Sequence, residues 1–117
     1  MDRKDRLNHS IDIQRVRRYG RSTAHPLFVL IYLHDTSVDN APVGVIASKA
    51  VGGAVERNRA KRVLRSAVTE LHDHIQPETM ILLLARQQIL DHDTPEITGI
   101  LAEQLKKAGI WRGTPQE

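Results

Sequence analysis

Val55-Glu56-Arg57-Asn58-Arg59-Ala60-Lys61-Arg62-Val63-Leu64-Arg65-Ser66-Ala67-Val68 is the stretch around which the rest of the chain arranges itself. Five of the nine residues from Arg57 to Arg65 are basic and none is acidic. On a helix advancing about 100° per residue, Ala60, Val63, Leu64, Ala67, Val68 and Leu71 share one arc of roughly 140°. Asn58, Arg59, Lys61, Arg62 and Arg65 occupy the remainder, and Arg57 stands near the edge of the arc in the first turn. One face therefore suits a core and the other a partner. A solubilising face mixes signs, whereas Arg57, Lys61 and Arg65 repeat the same charge at i, i+4 and i+8. That arrangement costs about 0.2–0.5 kcal/mol per pair in isolation, and a bound polyanion removes the cost. The pattern points to nucleic-acid binding rather than to catalysis by side-chain acids or nucleophiles.

On the N-terminal side, His25-Pro26 opens the apolar run Leu27-Phe28-Val29-Leu30-Ile31-Tyr32-Leu33, read as a buried strand. The turn-forming residues 35–42 separate it from a second strand, Val43-Gly44-Val45-Ile46-Ala47, and the two are expected to pair as an antiparallel hairpin. Ser48-Lys49 and Val51-Gly52-Gly53 lead into the basic helix, expected from about Ala54 to His74 and stopped by Pro77. Met80-Ile81-Leu82-Leu83-Leu84-Ala85 is a third strand, with Arg86 at its end. Thr94 reads as an N-cap, Pro95 as N1 and Glu96 as a first-turn acid. Ile97, Ile100, Leu101, Leu105 and Ala108 give that helix its apolar face, and Gly109 ends it. Near the start of the chain, Ser10 reads as an N-cap, with Asp12 in the first turn. Ile11, Ile13 and Val16 carry a short helix to Tyr19, closed by Gly20, where Arg15, Arg17, Arg18 and Arg21 crowd together.

The expected order is helix, strand, strand, helix, strand, helix: an α+β, single-domain α-β sandwich over residues 1–117, with 1–9 and 112–117 loose. Three strands are too few for a doubly wound nucleotide-binding fold.

Composition narrows the function. Net charge is only +3, but residues 1–65 hold 13 Lys and Arg against 6 acids, and residues 66–117 hold 4 against 8. The basic half suits a phosphate backbone. The absence of cysteine excludes disulfides and thiolate metal sites. No apolar run is long enough to span a membrane, and Met1-Asp2-Arg3-Lys4 is not followed by an apolar stretch, so neither membrane nor signal peptide is expected and a cytoplasmic protein is.

No catalytic or metal-binding residue is assigned. His72 and His74 are two apart on a helix and point to different sides. Asp91 and Asp93 read as turn and helix-start residues. Gly52-Gly53 lacks the Gly-Lys-Ser/Thr ending of a phosphate-binding Walker loop. No second short helix stands at helix-turn-helix spacing to support a DNA-binding module.

Gly44-Val45 to Ser48-Lys49, then Gly53-Ala54-Val55, then Arg57-Asn58-Arg59 with Lys61-Arg62 and Arg65, resembles the signature of the bacterial ribonuclease P protein subunit family. Ile13-Gln14 with Val16, Gly20-Arg21 and Ala85-Arg86 fit in register, so the resemblance covers nearly the whole chain. It implies a protein that binds a catalytic RNA and the 5′ leader of precursor tRNA, with magnesium held by the RNA, which performs the cleavage. It also implies an α-β sandwich with an unusual left-handed βαβ crossover, and no obligate protein partner is evident. Arg57, Asn58, Arg59, Lys61, Arg62 and Arg65 would face the RNA; Asn58 could equally hold the start of the helix. Ile13, Arg17, Ile31, Lys49 and Arg86 would lie along the leader.

This chain departs from the family pattern where aromatic residues usually cradle the leader: Ile13, Arg17 and Ile31 stand there instead. Ala50 replaces a second lysine after Ser48-Lys49. Base stacking on aromatics contributes about 1–3 kcal/mol per base, so leader affinity below the family norm is expected. Charge patterning alone equally suits a structural or chaperone RNA-binding protein without a role in cleavage.

Overall fold

The computed structural model describes residues 6, 7 and 9–113. The expected loose segments at 1–5, 8 and 114–117 lie outside the described residues.

Helix α1 spans Ser10–Tyr19, followed by strands β1 (Arg21–Ala24), β2 (Phe28–His34) and β3 (Val43–Ile46). Helix α2 spans Ala54–Leu71, continued by a 3-10 turn at His72–His74, then strand β4 (Thr79–Ala85) and helix α3 (Thr94–Ala108). The strands form one sheet in the order β1-β2-β4-β3. β2 is antiparallel to both β1 and β4, while β3 is parallel to β4.

Two strand expectations are corrected. β2 and β3 do not form a hairpin, because β4 lies between them. Their continuous apolar runs mark β2 and β4 as strands covered on both faces, hence central. The shorter β3 takes an edge, and α2 makes its connection to β4. The second correction is β1, a fourth strand that the sequence did not announce. Arg21-Ser22-Thr23-Ala24 is polar and mostly exposed, and it is held by backbone pairing to β2 at the other edge.

α2 and α3 cover one face of the sheet. Ala60, Leu64, Val68, Ile97, Leu101 and Leu105 pack there with Phe28, Leu30, Ile81 and Leu83. α1 covers part of the other face, where Val16 packs with Ile31, Met80 and Leu82. Because strand side chains alternate between faces, these two cores use alternate residues of β2 and β4.

Helix starts also differ by one residue from expectation. Ser10 is already helical, and His9 stands at the cap without a side-chain bond. Asp93, not Thr94, caps α3: its Oδ1 accepts from the Glu96 N–H at 3.0 Å. Pro95 still falls in the first turn, where its missing N–H costs no helix bond. Gly109 ends α3 as expected, with φ 78°.

Both ends of the described chain are more tightly held than the sequence suggested. The Leu7 N–H donates to the Val43 carbonyl at 2.9 Å, and the Leu7 side chain is buried. The Arg112 N–H donates to the His74 carbonyl at 2.7 Å. Beside it, the Trp111 ring stacks on His74 at 4.6 Å.

Candidate nucleic-acid interface

α2 is fixed by burial of Ala60, Leu64, Ala67, Val68 and Leu71. That burial turns Asn58, Arg59 and Arg62 outward and leaves Arg57, Lys61 and Arg65 half-buried beside them. None of the five cations has a carboxylate partner among the described residues, whose ion pairs are Arg15–Asp12, Arg15–Asp35, His34–Glu78 and His92–Glu96. The Arg57 Nε donates to the Gly53 carbonyl at 3.4 Å, folding that side chain onto the first turn. Asn58 makes no side-chain hydrogen bond to the described residues, so its amide is open to a partner and no contact supports a role in holding the helix start.

Asn58, Arg62 and Arg65 lie along one stripe of the helix with Ser66 and Thr69. Together with Arg6 from the N-terminal segment, they line a depression of about 420 Å³. Guanidinium groups, an amide and the Ser66 hydroxyl suit phosphate oxygens: arginine binds them bidentately and the others add single bonds, while the Thr69 hydroxyl donates to the Arg65 carbonyl at 2.9 Å.

The residues assigned to the leader separate into three places. Ile13 is half-buried against the core beneath α1, and Ile31 is 8% exposed within that core. Ile31 is thus enclosed in that core, whereas Ile13 keeps part of its surface open. Arg17 is exposed on α1 and has no carboxylate partner among the described residues. Arg15, by contrast, is neutralised by Asp35 at 2.8 Å and Asp12 at 3.4 Å. Arg86 is exposed beyond β4 and lines a depression of about 710 Å³ with His25, Ser48 and Ala50. Lys49 is exposed in the turn that contributes Ser48 and Ala50.

Sequence reasoning missed an apolar strip on the α1 face of the sheet. Ala24, Val29, Leu84 and Ile46 are register partners across all four strands. They occupy the same face as α1, yet Ala24 is exposed and the other three are only half-buried. In the next row, Ile31, Leu82 and Gly44 are buried. The strip is thus the part of that face which α1 leaves open. A continuous apolar run gives no signal separating its covered residues from its uncovered ones.

A further cavity of about 830 Å³ at the other strand ends contains Tyr19, Arg21, Tyr32 and Glu78, with the carbonyl end of α3. The carboxylate and the negative end of the helix dipole disfavour a phosphate chain there.

The described residues bring together no group of three or more His, Asp or Glu side chains that could hold a metal ion. The α2 flank itself presents cations and neutral polar groups rather than the carboxylates that hold magnesium.

A sequence profile of the family described as Ribonuclease P matches residues 1–109. The ribonuclease P protein component of Listeria welshimeri is 34% identical over 115 residues, which cover 98% of this chain and 97% of that protein. The Bacillus cereus component is 33% identical over 112 residues, covering 96% and 97% respectively. The solved structure of Staphylococcus aureus RNase P protein is similar with a TM-score of 0.81 and 31% identity, over 92% of this chain and 98% of that one. For Thermotoga maritima RNase P protein the TM-score is 0.76 at 22% identity, over 87% and 96%, a likeness of fold alone. Matched along nearly its whole length in sequence and in fold, the chain belongs to the ribonuclease P protein family.

Proposed function

We propose that this ribonuclease P component binds the catalytic RNA through the exposed flank of α2 and the 5′ leader of precursor tRNA along the open sheet strip. The observation that carries this reading is the α2 flank: Arg57, Arg59, Lys61, Arg62 and Arg65 stand on a buried-backed helix with no carboxylate partner among the described residues. The buried apolar face fixes the orientation of the helix, so these cations approach a phosphate chain from one side. Each phosphate neutralised adds about 0.7–0.9 to the salt slope of log affinity.

The hydrolysis is assigned to the RNA, which also holds the magnesium. The protein supplies positive charge where RNA and substrate phosphates crowd together. On the leader side, Val29, Leu84 and Ile46 offer an apolar floor, with Arg17, Lys49 and Arg86 as flanking cations. That floor contains no aromatic ring, so bases meet aliphatic surface rather than a stacking partner. The assignment is to the cytoplasm, where precursor tRNA is processed; among the described residues no helix is long and apolar enough to cross a membrane.

The test is cleavage of precursor tRNA by the cognate catalytic RNA at low magnesium, with and without this protein. Strong stimulation, with the cut leaving the mature 5′ end, is expected. RNA binding without stimulation would favour the chaperone reading. Cleavage by the protein freed of RNA would overturn the assignment of chemistry to the RNA.

A further inference from the structure

We propose that Arg6 is a phosphate ligand of the same interface, held beside α2 by a latch between Leu7 and β3. The proposal rests on the RNA-binding reading of α2 and adds to it a residue from a distant part of the sequence. Arg6 forms a parallel bridge with Val43, and the Leu7 N–H donates to the Val43 carbonyl at 2.9 Å. The segment therefore extends the sheet by a short step beyond edge strand β3.

Alternation decides where each side chain goes. Leu7 faces the α1 side, is 6% exposed and packs with Val16, Ile31, Met80 and Leu82. Arg6 faces the α2 side, where it is exposed and borders the depression lined by Asn58, Arg62, Arg65, Ser66 and Thr69. β3 makes room for this segment at Gly44. A Cβ there would stand 2.9 Å from the Leu7 carbonyl oxygen and 3.4 Å from the Leu7 Cβ.

The depression thus has guanidinium groups on two walls: Arg62 and Arg65 from α2, and Arg6 from the latched segment. No carboxylate among the described residues lines it. Three like charges around one hollow repel one another in the free protein, and a phosphodiester entering the hollow reverses that repulsion. Asn58 and the Ser66 hydroxyl add neutral donors for the remaining phosphate oxygens. The ligand class is one or more phosphodiester groups of an RNA backbone, bound without reading of bases.

The experiment titrates full-length protein against the cognate catalytic RNA over a range of salt, for wild type, Arg6→Ala, Arg6→Lys, Leu7→Ala and Arg62→Ala. Thermal unfolding of each variant is followed in parallel. Arg6→Ala is expected to weaken binding several-fold and lower the salt slope by about 0.7–0.9, with an unchanged unfolding transition. Arg6→Lys restores the slope. Leu7→Ala loses the same increment in slope although Arg6 is still present. If Arg62→Ala weakens binding while Arg6→Ala leaves affinity and slope intact, the assignment of Arg6 is overturned and the α2 reading stands. If neither variant changes affinity or slope, both are overturned.

Discussion

Arg15 Nη2 lies 2.8 Å from Asp35 Oδ2, joining the middle of α1 to the loop after β2. The Asp35 Oδ1 accepts from the Ser37 hydroxyl at 2.6 Å and from the Ser37 N–H at 2.9 Å. Led by the Ser37 hydroxyl, then its N–H and then Arg15, these bonds hold the Asp35 carboxyl down to about 2. Its folded pKa is below the unfolded one, so the stabilisation is present above about pH 4 and lost as pH falls through about 2. Asp35→Ala is expected to cost on the order of 1 kcal/mol at neutral pH, with solvent screening limiting the loss. Urea unfolding of both proteins at pH 7 and pH 3 should show the difference shrinking in acid. An equal difference at the two pH values would show that the carboxylate charge is not its source.

Gly20 separates α1 from β1 by close approach rather than by a left-handed turn, since its φ is −73°. A Cβ there would collide with the Val16 carbonyl oxygen and stand 2.8 Å from that of Tyr32. Both obstacles are backbone and cannot rotate away. Gly20→Ala is expected to destabilise by about 2 kcal/mol or more, read as an earlier midpoint in chemical unfolding. An unchanged midpoint would mean that α1 can lift from the sheet at little cost.

Gly99 presents the opposite case. It is exposed inside α3, and an added Cβ meets nothing within 4 Å. Gly99→Ala should stabilise by about 0.5–1 kcal/mol through helix propensity and a less flexible unfolded chain. A higher midpoint with unaltered RNA affinity is the expected result.

Arg59 and Arg62 are both exposed on α2. Arg59→Ala and Arg62→Ala should each weaken binding to the catalytic RNA and flatten its salt dependence by about 0.7–0.9. Folding should be unaffected, because neither side chain is buried. Full affinity and slope in both variants would remove α2 as the binding surface.

On the leader side, Arg17→Phe places a ring at an exposed position of α1, the helix that covers part of the same sheet face. At about 1–3 kcal/mol per stacked base, precursor with a leader should bind about tenfold more tightly, and mature tRNA should bind as before. Weaker binding would instead assign Arg17 to a phosphate.

The orientation of α2 was more legible in the sequence than the sheet was. The periodicity of Ala60, Leu64, Ala67, Val68 and Leu71 set the orientation of α2, and the cations then had to face outward. The start of α2 at Ala54 and the end of α3 at Gly109 also follow from local signals. Pairing of β2 with β4 did not, because apolar runs say that strands are central but not which strand is the neighbour. β1 escaped notice because an exposed edge strand needs no apolar residues. Ile31 shows a limit of position-by-position transfer, because a side chain 8% exposed in the core beneath α1 offers little surface to a ligand. Arg6 was hidden for a different reason: nothing local links it to a helix more than fifty residues away.

The place of β4 also bears on how the chain is made. The β2–β4 pairs are separated by between 45 residues, from His34 to Thr79, and 57 residues, from Phe28 to Ala85. A ribosome releases β2, β3 and the whole of α2 before the strand that unites them. Until then the apolar run from Phe28 to Leu33 lacks its main partner, and β1 offers it only a polar ribbon. Long-range pairing of this kind slows folding and prolongs exposure of sticky surface. The cations of α2 emerge during that interval, before the sheet that backs their helix has formed.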